Sequence, residues 1–160
     1  MNTMLHRIAI AATLALAAAH ALAADPVPAA PAAKAAPASN LGVARALIAD
    51  SKWPAAITEL ERVNDSGNAD WNNLMGYTLR KSGAGKWTAS EKYYDTALKI
   101  DPSHRGALEY SGELYLSMGD LTKAEQRLAA LGQACNMSCP EYKDLKASVE
   151  GFKANGGKKS

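Results

Sequence analysis

Apolar residues recur every three or four positions in three segments of the chain, and the segments repeat at an interval of 34 residues. The repeat is clearest at these equivalent positions: Trp53, Trp87 and Leu121; Ala56, Ser90 and Ala124; Leu60, Tyr94 and Leu128. A spacing of three or four residues is the period of an α-helix. The pattern therefore predicts one helix in each segment, near residues 54–65, 88–100 and 121–133. Thr122 and Glu125, at the start of the third helix, have the spacing of a capping box.

A second helix is predicted before each of these three. The predicted ranges are 40–51, 70–82 and 104–118. Gly76 and Gly112 take equivalent places in the second and third of these helices, where a small residue lets two helices approach closely. Gly83 and Gly119 follow the same two helices, and glycine suits the left-handed conformation that ends a helix. The chain thus predicts three helix pairs and an all-α fold.

We predict a seventh helix after the third pair, which should itself end near Gly132. Pro140 suits the first turn of the new helix, and Ser138 with Glu141 has the spacing of a capping box. Apolar residues then recur along one face, at Tyr142, Leu145, Val149 and Phe152. A repeat array needs a terminal helix over its last apolar surface, and this segment has that composition.

The order of these residues resembles the tetratricopeptide repeat, or TPR. In the second repeat the matching residues are Trp71, Gly76, Leu79, Gly83, Tyr94, Ala97 and Pro102. In the third they are Leu108, Gly112, Tyr115, Gly119, Ala124 and Leu128. Small, aromatic and proline positions recur in order at the period of that family, over about residues 40–134. The sequence departs from the family pattern at Ser90, where alanine is usual, and at Ser111, where leucine is usual.

This resemblance implies an all-α TPR superhelix of three helix–turn–helix repeats plus a C-terminal capping helix, over residues 40–153. Residues 154–160 are expected to form a disordered tail. The stretch from His104 to Leu145, with its Cys-x3-Cys segment, also resembles a group of small secreted bacterial TPR proteins. No activity is carried over from that second resemblance.

Residues 1–23 predict a secretory signal peptide. Arg7 gives a positive start, an apolar stretch covers residues 8–19, and Ala21 and Ala23 place small residues where a signal peptidase reads. The apolar stretch is too short to span a hydrocarbon core of roughly 30 Å, so we expect no stable membrane insertion. We expect cleavage after Ala23 and a periplasmic protein.

The segment that follows, residues 24–39, contains four of the seven prolines of the chain, and most of its other residues are alanine. Proline removes helix hydrogen bonds and stiffens the chain, so this segment predicts an extended, disordered linker. The whole chain has 160 residues and a formal net charge of +2. That length suits one domain, and the near-neutral charge argues against nucleic-acid binding, which needs a clustered basic surface.

Cys135 and Cys139 are the sharpest local feature of the sequence. In an oxidising compartment a disulfide is the default, and here it would join the last repeat to the capping helix. Two alternatives stay open. The pair could exchange thiols, although that chemistry normally uses Cys-x-x-Cys. Together with Met137 the cysteines could also bind Cu(I), which favours soft ligands.

The sequence contains no recognisable catalytic constellation, metal site or cofactor motif. His104 is the only histidine after the predicted signal peptide, and we expect it to cap the turn between repeats. Glu109 and Glu113 share a helix face and could act as a catalytic acid and base. Carboxylate pairs on an open helix face are, however, usually only solvent-exposed charged groups. We therefore expect a protein that is not an enzyme and that needs no cofactor or metal.

The TPR resemblance also implies a binding site, because the first helices of TPR repeats line a concave groove that receives peptides or helices. The implied groove positions are Arg45, Asn73, Tyr77, Arg80, Glu109, Tyr110 and Glu113. The first two repeats present cations there and the third presents carboxylates, which would suit a ligand of opposite polarity. Some TPR domains clamp a C-terminal carboxylate, but Leu41, Leu74 and Tyr110 stand at three of the clamp positions and argue against that mode.

These features favour an exported TPR scaffold that binds a peptide or helix of another periplasmic or envelope protein, as an adaptor or assembly factor. The alternative is a periplasmic thiol-redox or Cu(I)-handling protein that uses Cys135, Met137 and Cys139. Neither the partner nor the oligomeric state can be read from the sequence.

Overall fold

The computed structural model describes residues 41–158, and every regular element in that range is helical. The predicted signal peptide and linker, together with the last two residues, lie outside the described residues. The α-helices of the described range are α1 (Gly42–Ala49), α2 (Trp53–Val63), α3 (Ala69–Lys81), α4 (Trp87–Ile100), α5 (Arg105–Met118), α6 (Leu121–Cys135) and α7 (Pro140–Ala154). A short 3-10 turn, Ala84–Lys86, leads into α4. No helix in residues 41–158 has both the length and the apolar character needed to cross a bilayer.

The helices pack as three pairs, α1 with α2, α3 with α4 and α5 with α6. The first helix of each later pair also packs on the second helix of the pair before it, so that α3 contacts α2 and α5 contacts α4. Helix α7 then packs on both α5 and α6, which is the place of a capping helix. The predicted all-α architecture of three helix–turn–helix repeats with a C-terminal cap is confirmed.

Two glycines at equivalent repeat positions let neighbouring helices approach closely. A Cβ atom placed on Gly76 would lie 2.8 Å from the ring of Tyr94 in α4. A Cβ atom on Gly112 would lie 2.6 Å from a methyl carbon of Leu145 in α7. Both glycines therefore mark close helix contacts, as predicted. Gly76 allows α3 to pack closely on α4 within the second repeat, and Gly112 allows α5 to pack closely on the capping helix α7.

The apolar core runs through the array as three clusters. The N-terminal cluster is centred on Leu60 and Trp71, whose indole Nε1 donates a 2.8 Å hydrogen bond to the carbonyl of Leu60. The middle cluster contains the fully buried Tyr94. The C-terminal cluster joins α5, α6 and α7 and contains Leu131 and Leu145. The capping helix thus completes a core that the third repeat alone would leave exposed.

One departure from the family pattern has a structural reason. Ser90, where alanine is usual, is fully buried in α4. Its Oγ atom donates a 2.6 Å hydrogen bond to the carbonyl oxygen of Gly76 in α3. The hydroxyl therefore has a partner and holds the two helices of the second repeat together, so that its burial carries little penalty.

Several helix ends differ from the prediction. Helix α6 does not end near Gly132 but continues to Cys135, because Asn136 takes the left-handed conformation with a φ of 49°. The N-cap of α6 is Asp120, whose carboxylate accepts a 3.0 Å hydrogen bond from the N–H of Lys123, rather than Thr122. Capping residues fix helix ends through local backbone contacts that a regular spacing of apolar residues does not reveal.

At the other end of the cap, α7 begins directly after Cys139, and the hydroxyl of Ser138 donates to the carbonyl of Cys135 instead of forming the predicted capping box. After Ala154 the chain turns back, so that the N–H of Gly157 donates a 2.9 Å hydrogen bond to the carbonyl of Phe152. The end of α7 is therefore closed by a local backbone hydrogen bond, whereas its N-cap, Cys139, makes no capping hydrogen bond through its side chain.

Candidate functional site: the first-helix face

Polar and aromatic side chains from the first helices of the repeats and from α7 meet on one side of the array. We call this surface the first-helix face and define it by Arg45, Asp70, Asn73, Tyr77, Arg80, His104, Glu109, Tyr110, Glu113, Glu141 and Asp144. All seven of the predicted groove residues belong to it. These residues differ in their surroundings: some of them contact each other, and others are paired with a residue outside the predicted set or buried.

Two tyrosines and an arginine form the centre of the face. The rings of Tyr77 in α3 and Tyr110 in α5 are 4.7 Å apart between centroids. The guanidinium carbon of Arg80 lies 5.5 Å from the centroid of Tyr77 and 5.9 Å from that of Tyr110, within the range of cation–π attraction. Trp53 in α2 extends the aromatic row, with its ring centroid 6.3 Å from that of Tyr77. All four side chains are half-buried, so each keeps a surface that a ligand can contact.

Arg80 holds hydrogen-bonding capacity that the described residues leave unused. Its Nε atom is buried without a hydrogen-bond partner. Within residues 41–158 no carboxylate forms an ion pair with it. The hydroxyl of Tyr94, in the core of the second and third repeats, is also without a hydrogen-bond partner. Burial raises the pKa of Tyr94, and the positive charge of Arg80 partly offsets that rise.

Carboxylates dominate the side of the face toward α7. Glu109 is half-buried, and its pKa is raised to about 7, with loss of solvent as the largest cause. The negative charges of Asp144, Glu141 and Glu113 contribute to this rise, while Arg80 opposes it. Glu109 therefore exchanges its proton close to neutral pH, and a nearby positive charge would favour its ionised form.

Arg45 is the predicted cation of the first repeat, and the structure shows it in an ion pair. Its guanidinium lies 2.9 Å from Oδ2 of Asp70 in α3. The other oxygen of Asp70 lies 2.9 Å from Nε2 of His104 at the start of α5. Nδ1 of His104 accepts a 3.1 Å hydrogen bond from the N–H of Ala107, so Nε2 carries the proton that is donated to Asp70. One carboxylate thus ties together α1, α3 and α5.

Asn73 is buried rather than displayed, with only 7% of its surface exposed. Its amide packs against the backbone of Gly106 in α5, where a Cβ atom would lie 3.0 Å from Nδ2 of Asn73. The Oδ1 atom has no hydrogen-bond partner. Its main contact is therefore between α3 and α5, and it is not displayed to a ligand.

The structure therefore brings Tyr77, Arg80, Glu109 and Tyr110 together and leaves Arg45 and Asn73 in structural contacts. The sequence prediction missed Asp70, Glu141 and Asp144. Asp70 lies 34 residues before His104, so the repeat spacing itself was a signal for that contact. Glu141 was predicted only as part of a capping box, and Asp144 lies outside the apolar pattern that predicts α7.

Cys135 and Cys139 form a disulfide, with their Cα atoms 5.8 Å apart. Cys135 is the last residue of α6 and Cys139 is the N-cap of α7, so the bond joins the last repeat to the capping helix. Cys139 is buried in the C-terminal core cluster, whereas Met137 between them is 62% exposed. Within the described residues, no three or more histidine, cysteine, aspartate or glutamate side chains are arranged to hold a metal ion.

Residues 82–149, which span α4 to α7 and their connections, match the family model for the tetratricopeptide repeat. This part of the chain therefore carries the tetratricopeptide repeat. The predicted resemblance to that family is confirmed for residues 82–149. No curated protein matches the chain by sequence.

Two solved structures have similar folds. One is PcrH in complex with the chaperone binding region of PopD, with a TM-score of 0.61 and 16% identity over 72% of this chain and 89% of that chain. The other is the Yersinia enterocolitica type III secretion chaperone SycD in complex with a peptide of the translocator YopD. Its TM-score is 0.60, with 18% identity over 72% of this chain and 90% of that chain. At these identities the likeness is one of fold.

Proposed function

We propose that this TPR protein is a scaffold that binds a peptide or helix of another protein through the first-helix face, as an adaptor or assembly factor. The observation that carries the proposal is the cluster of Arg80 with Tyr77 and Tyr110, in which a cation without an ion-pair partner among the described residues lies over two half-exposed rings. The two TPR structures of similar fold, PcrH and SycD, each hold a segment of another protein, which supports the same mode of action here.

The chemistry of the face specifies the kind of segment that would bind. The tyrosine rings offer apolar contact, and their hydroxyls can hydrogen-bond a peptide backbone. Arg80 offers donors to a carbonyl or carboxylate oxygen. Glu109, with Glu141 and Asp144 nearby, favours a basic side chain toward α7. A segment that presents an acceptor to Arg80 and a positive charge to α7 would match both.

We also propose that the protein acts in the periplasm, where its partner would be another envelope protein. The apolar stretch and small residues of the predicted signal peptide support export. The disulfide between Cys135 and Cys139 supports it as well, because thiols inside most cells are kept reduced. Export is checked directly by fractionating cells and sequencing the N-terminus of the mature protein, which should begin at Ala24.

The geometry does not favour the alternative function as a thiol-redox or Cu(I)-handling protein. Cys139 lies in the apolar core beneath α7, which is the position of a structural disulfide. A catalytic disulfide needs one sulfur that an incoming thiolate can reach, whereas here Cys139 is buried and Cys135 is half-buried at the end of α6.

Affinity capture with three matched baits tests the binding function. The first bait is the unchanged chain. The second carries Arg80→Glu with Glu113→Lys, which reverses two charges on the first-helix face and leaves the net charge unchanged. The third carries Lys92→Glu with Glu61→Lys, the same changes at exposed positions on the second helices α4 and α2.

A partner that the first and third baits retain and the second loses would support recognition through the first-helix face. Equal retention by all three, or no specific partner at all, would refute it. Thermal unfolding followed by circular dichroism verifies that the three baits fold alike.

A further inference from the structure

The first-helix face adjoins a buried polar group that contributes no hydrogen bond to the fold. Tyr94 in α4 is fully buried, and its hydroxyl has no hydrogen-bond partner within residues 41–158. Its ring lies in the middle core cluster, against which Tyr110 of the first-helix face packs. An unpartnered buried hydroxyl costs free energy, whereas a phenylalanine would fill the same space without that cost. The hydroxyl therefore points to a role outside the packing of the core.

Helix α3 brings Arg80 to this hydroxyl. A Cβ atom on Gly76 would lie 2.8 Å from Cδ1 and Cε1 of Tyr94, so the ring of Tyr94 lies against α3 at that residue. Arg80 follows Gly76 by four residues and is therefore on the same side of the helix, one turn further on. Burial raises the pKa of Tyr94, and the positive charge of Arg80 is the largest influence that opposes this rise. The guanidinium and the hydroxyl are therefore neighbours.

The two unpartnered atoms are chemically complementary. Nε of Arg80 is a donor, and the hydroxyl oxygen of Tyr94 is able to accept a hydrogen bond. A guanidinium that donates its Nε–H still offers the N–H groups of its two terminal nitrogens. These groups form a planar fork that matches the two oxygens of a carboxylate. Arg80 can therefore bind Tyr94 and a carboxylate at the same time.

The surroundings of Arg80 leave its charge available to a ligand. Its guanidinium lies over the half-exposed rings of Tyr77 and Tyr110. Among the described residues no carboxylate forms an ion pair with it. The nearby Glu109 is only partly ionised near neutral pH, because its pKa is raised to about 7, with loss of solvent as the largest cause. A carboxylate from a partner would therefore displace no ion pair when it binds Arg80.

We propose that Tyr94 is a positioning residue for Arg80, and that the first-helix face selects its partner by an acidic side chain. The carboxylate of an aspartate or glutamate would bind the terminal nitrogens of Arg80, while the Nε–H of Arg80 is donated to the hydroxyl of Tyr94. That hydrogen bond fixes the plane of the guanidinium, so a bidentate carboxylate is preferred over a carbonyl, which accepts at a single oxygen. This inference rests on the proposed function and deepens it, because it names the chemical group that is recognised.

Peptides selected from a random library on phage, with the unchanged full chain as the target, supply a defined probe. Each selected sequence is synthesised with an amidated C-terminus, so that only side chains carry a carboxylate, and its affinity is measured by fluorescence anisotropy. Peptides that bind Tyr77→Ala as tightly as the unchanged chain bind elsewhere and are excluded. We expect the remaining peptides to share an aspartate or glutamate, whose change to asparagine or glutamine weakens binding about tenfold or more.

Two further substitutions isolate the role of Tyr94. Tyr94→Phe should weaken binding of the acidic peptide about five- to tenfold and leave binding of its amide counterpart unchanged. Tyr93→Phe is the matched control and should change neither affinity, because the ring of Tyr93 packs against Trp71, with centroids 5.8 Å apart. In nuclear magnetic resonance spectra, the Nε–H of Arg80 should exchange slowly with water in the peptide complex and faster when Tyr94 is changed to phenylalanine. Loss of the unpartnered hydroxyl should not lower the urea midpoint of unfolding.

The outcomes separate this inference from the proposed function. Peptides that depend on Tyr77 but need no acidic side chain would overturn the inference and leave the binding function standing. An acidic peptide that binds Tyr94→Phe unchanged, equal weakening of the acidic and amide peptides, or a lower urea midpoint for Tyr94→Phe would have the same meaning. Failure to select any peptide that depends on Tyr77 would refute both. Circular dichroism verifies that each variant folds, and Tyr110→Ala replaces Tyr77→Ala if the latter does not.

Discussion

The Nε2 atom of His104 lies 2.9 Å from Oδ1 of Asp70, one repeat length of 34 residues earlier in the chain. His104 also accepts a hydrogen bond from the N–H of Ala107 and thereby caps α5. A single side chain therefore ends one turn, begins the next helix and joins two successive repeats. The sequence predicted the capping role, and the link to Asp70 adds a reason for a histidine at this position.

His104→Ala should lower the free energy of unfolding by about 1.5 kcal/mol. The missing N-cap accounts for about 1 kcal/mol and the exposed hydrogen bond to Asp70 for the rest. His104→Asn keeps a side-chain acceptor for the helix start and should lose only about 0.5 kcal/mol. Urea unfolding of the two variants measures both values. An equal loss in both would show that the contact with Asp70, and not the cap, provides the stability.

Glu109 should make stability depend on pH near neutrality. In the folded chain its pKa is about 7, against the ordinary value of 4.5, so folding favours the protonated carboxyl. The contribution of Glu109 to the free energy of unfolding should therefore be largest below pH 4.5. It should fall as the pH rises from 4.5 to about 7 and then level off. Because the side chain is only half-buried, we discount the full shift for solvent screening and expect a loss of about 1 to 2 kcal/mol.

Glu109→Gln should flatten that part of the profile, because glutamine has no proton to lose. The measurement is urea unfolding of both proteins between pH 5 and pH 8. The matched control is Glu61→Gln, which removes an exposed carboxylate from α2 and should leave the profile as it is. Parallel profiles for the unchanged chain and Glu109→Gln would contradict the role assigned to Glu109.

Gly112→Ala should destabilise the chain by about 1 to 3 kcal/mol, because the new methyl group would overlap Leu145 in the capping helix. Gly151→Ala in α7 is the control, since no atom lies within 4 Å of a Cβ there. That change should stabilise by about 0.5 to 1 kcal/mol through helix propensity. Combining Gly112→Ala with Leu145→Ala should cost less than the sum of the two single losses, as expected for residues in contact. Strict additivity would argue against that overlap.

The sequence predicted the repeat fold well because the fold depends on regular spacing. Apolar residues at helical intervals placed all of the helices, and Gly76 and Gly112 marked two close contacts. The prediction was wrong where a local contact decided the outcome. Gly132 suggested a helix end, as glycine often does, yet it lies within α6. A glycine stands there because the Cβ of a larger residue would press on Tyr142 and Met137. Asn136 supplies the left-handed residue instead.

The candidate site could be predicted only in part. The family resemblance placed Tyr77, Arg80 and Tyr110 on one face, and the structure brings them into contact. It could not show that Arg45 is held by Asp70, since that ion pair depends on how two repeats stack. The high pKa of Glu109 also depends on burial and on carboxylates of α7, which are properties of the folded chain.

Loss of the disulfide should lower the free energy of unfolding by about 2 kcal/mol, as expected for a short covalent loop in the chain-entropy model. The double change Cys135→Ser with Cys139→Ser tests this, with the unchanged chain measured both oxidised and in the presence of a reductant. The reduced chain and the double variant should lose similar amounts, because both free the junction between α6 and α7. If the disulfide is structural, the double variant should still capture the same partner as the unchanged bait. A variant that keeps its stability but loses the partner would instead point to the cysteine segment as the functional site.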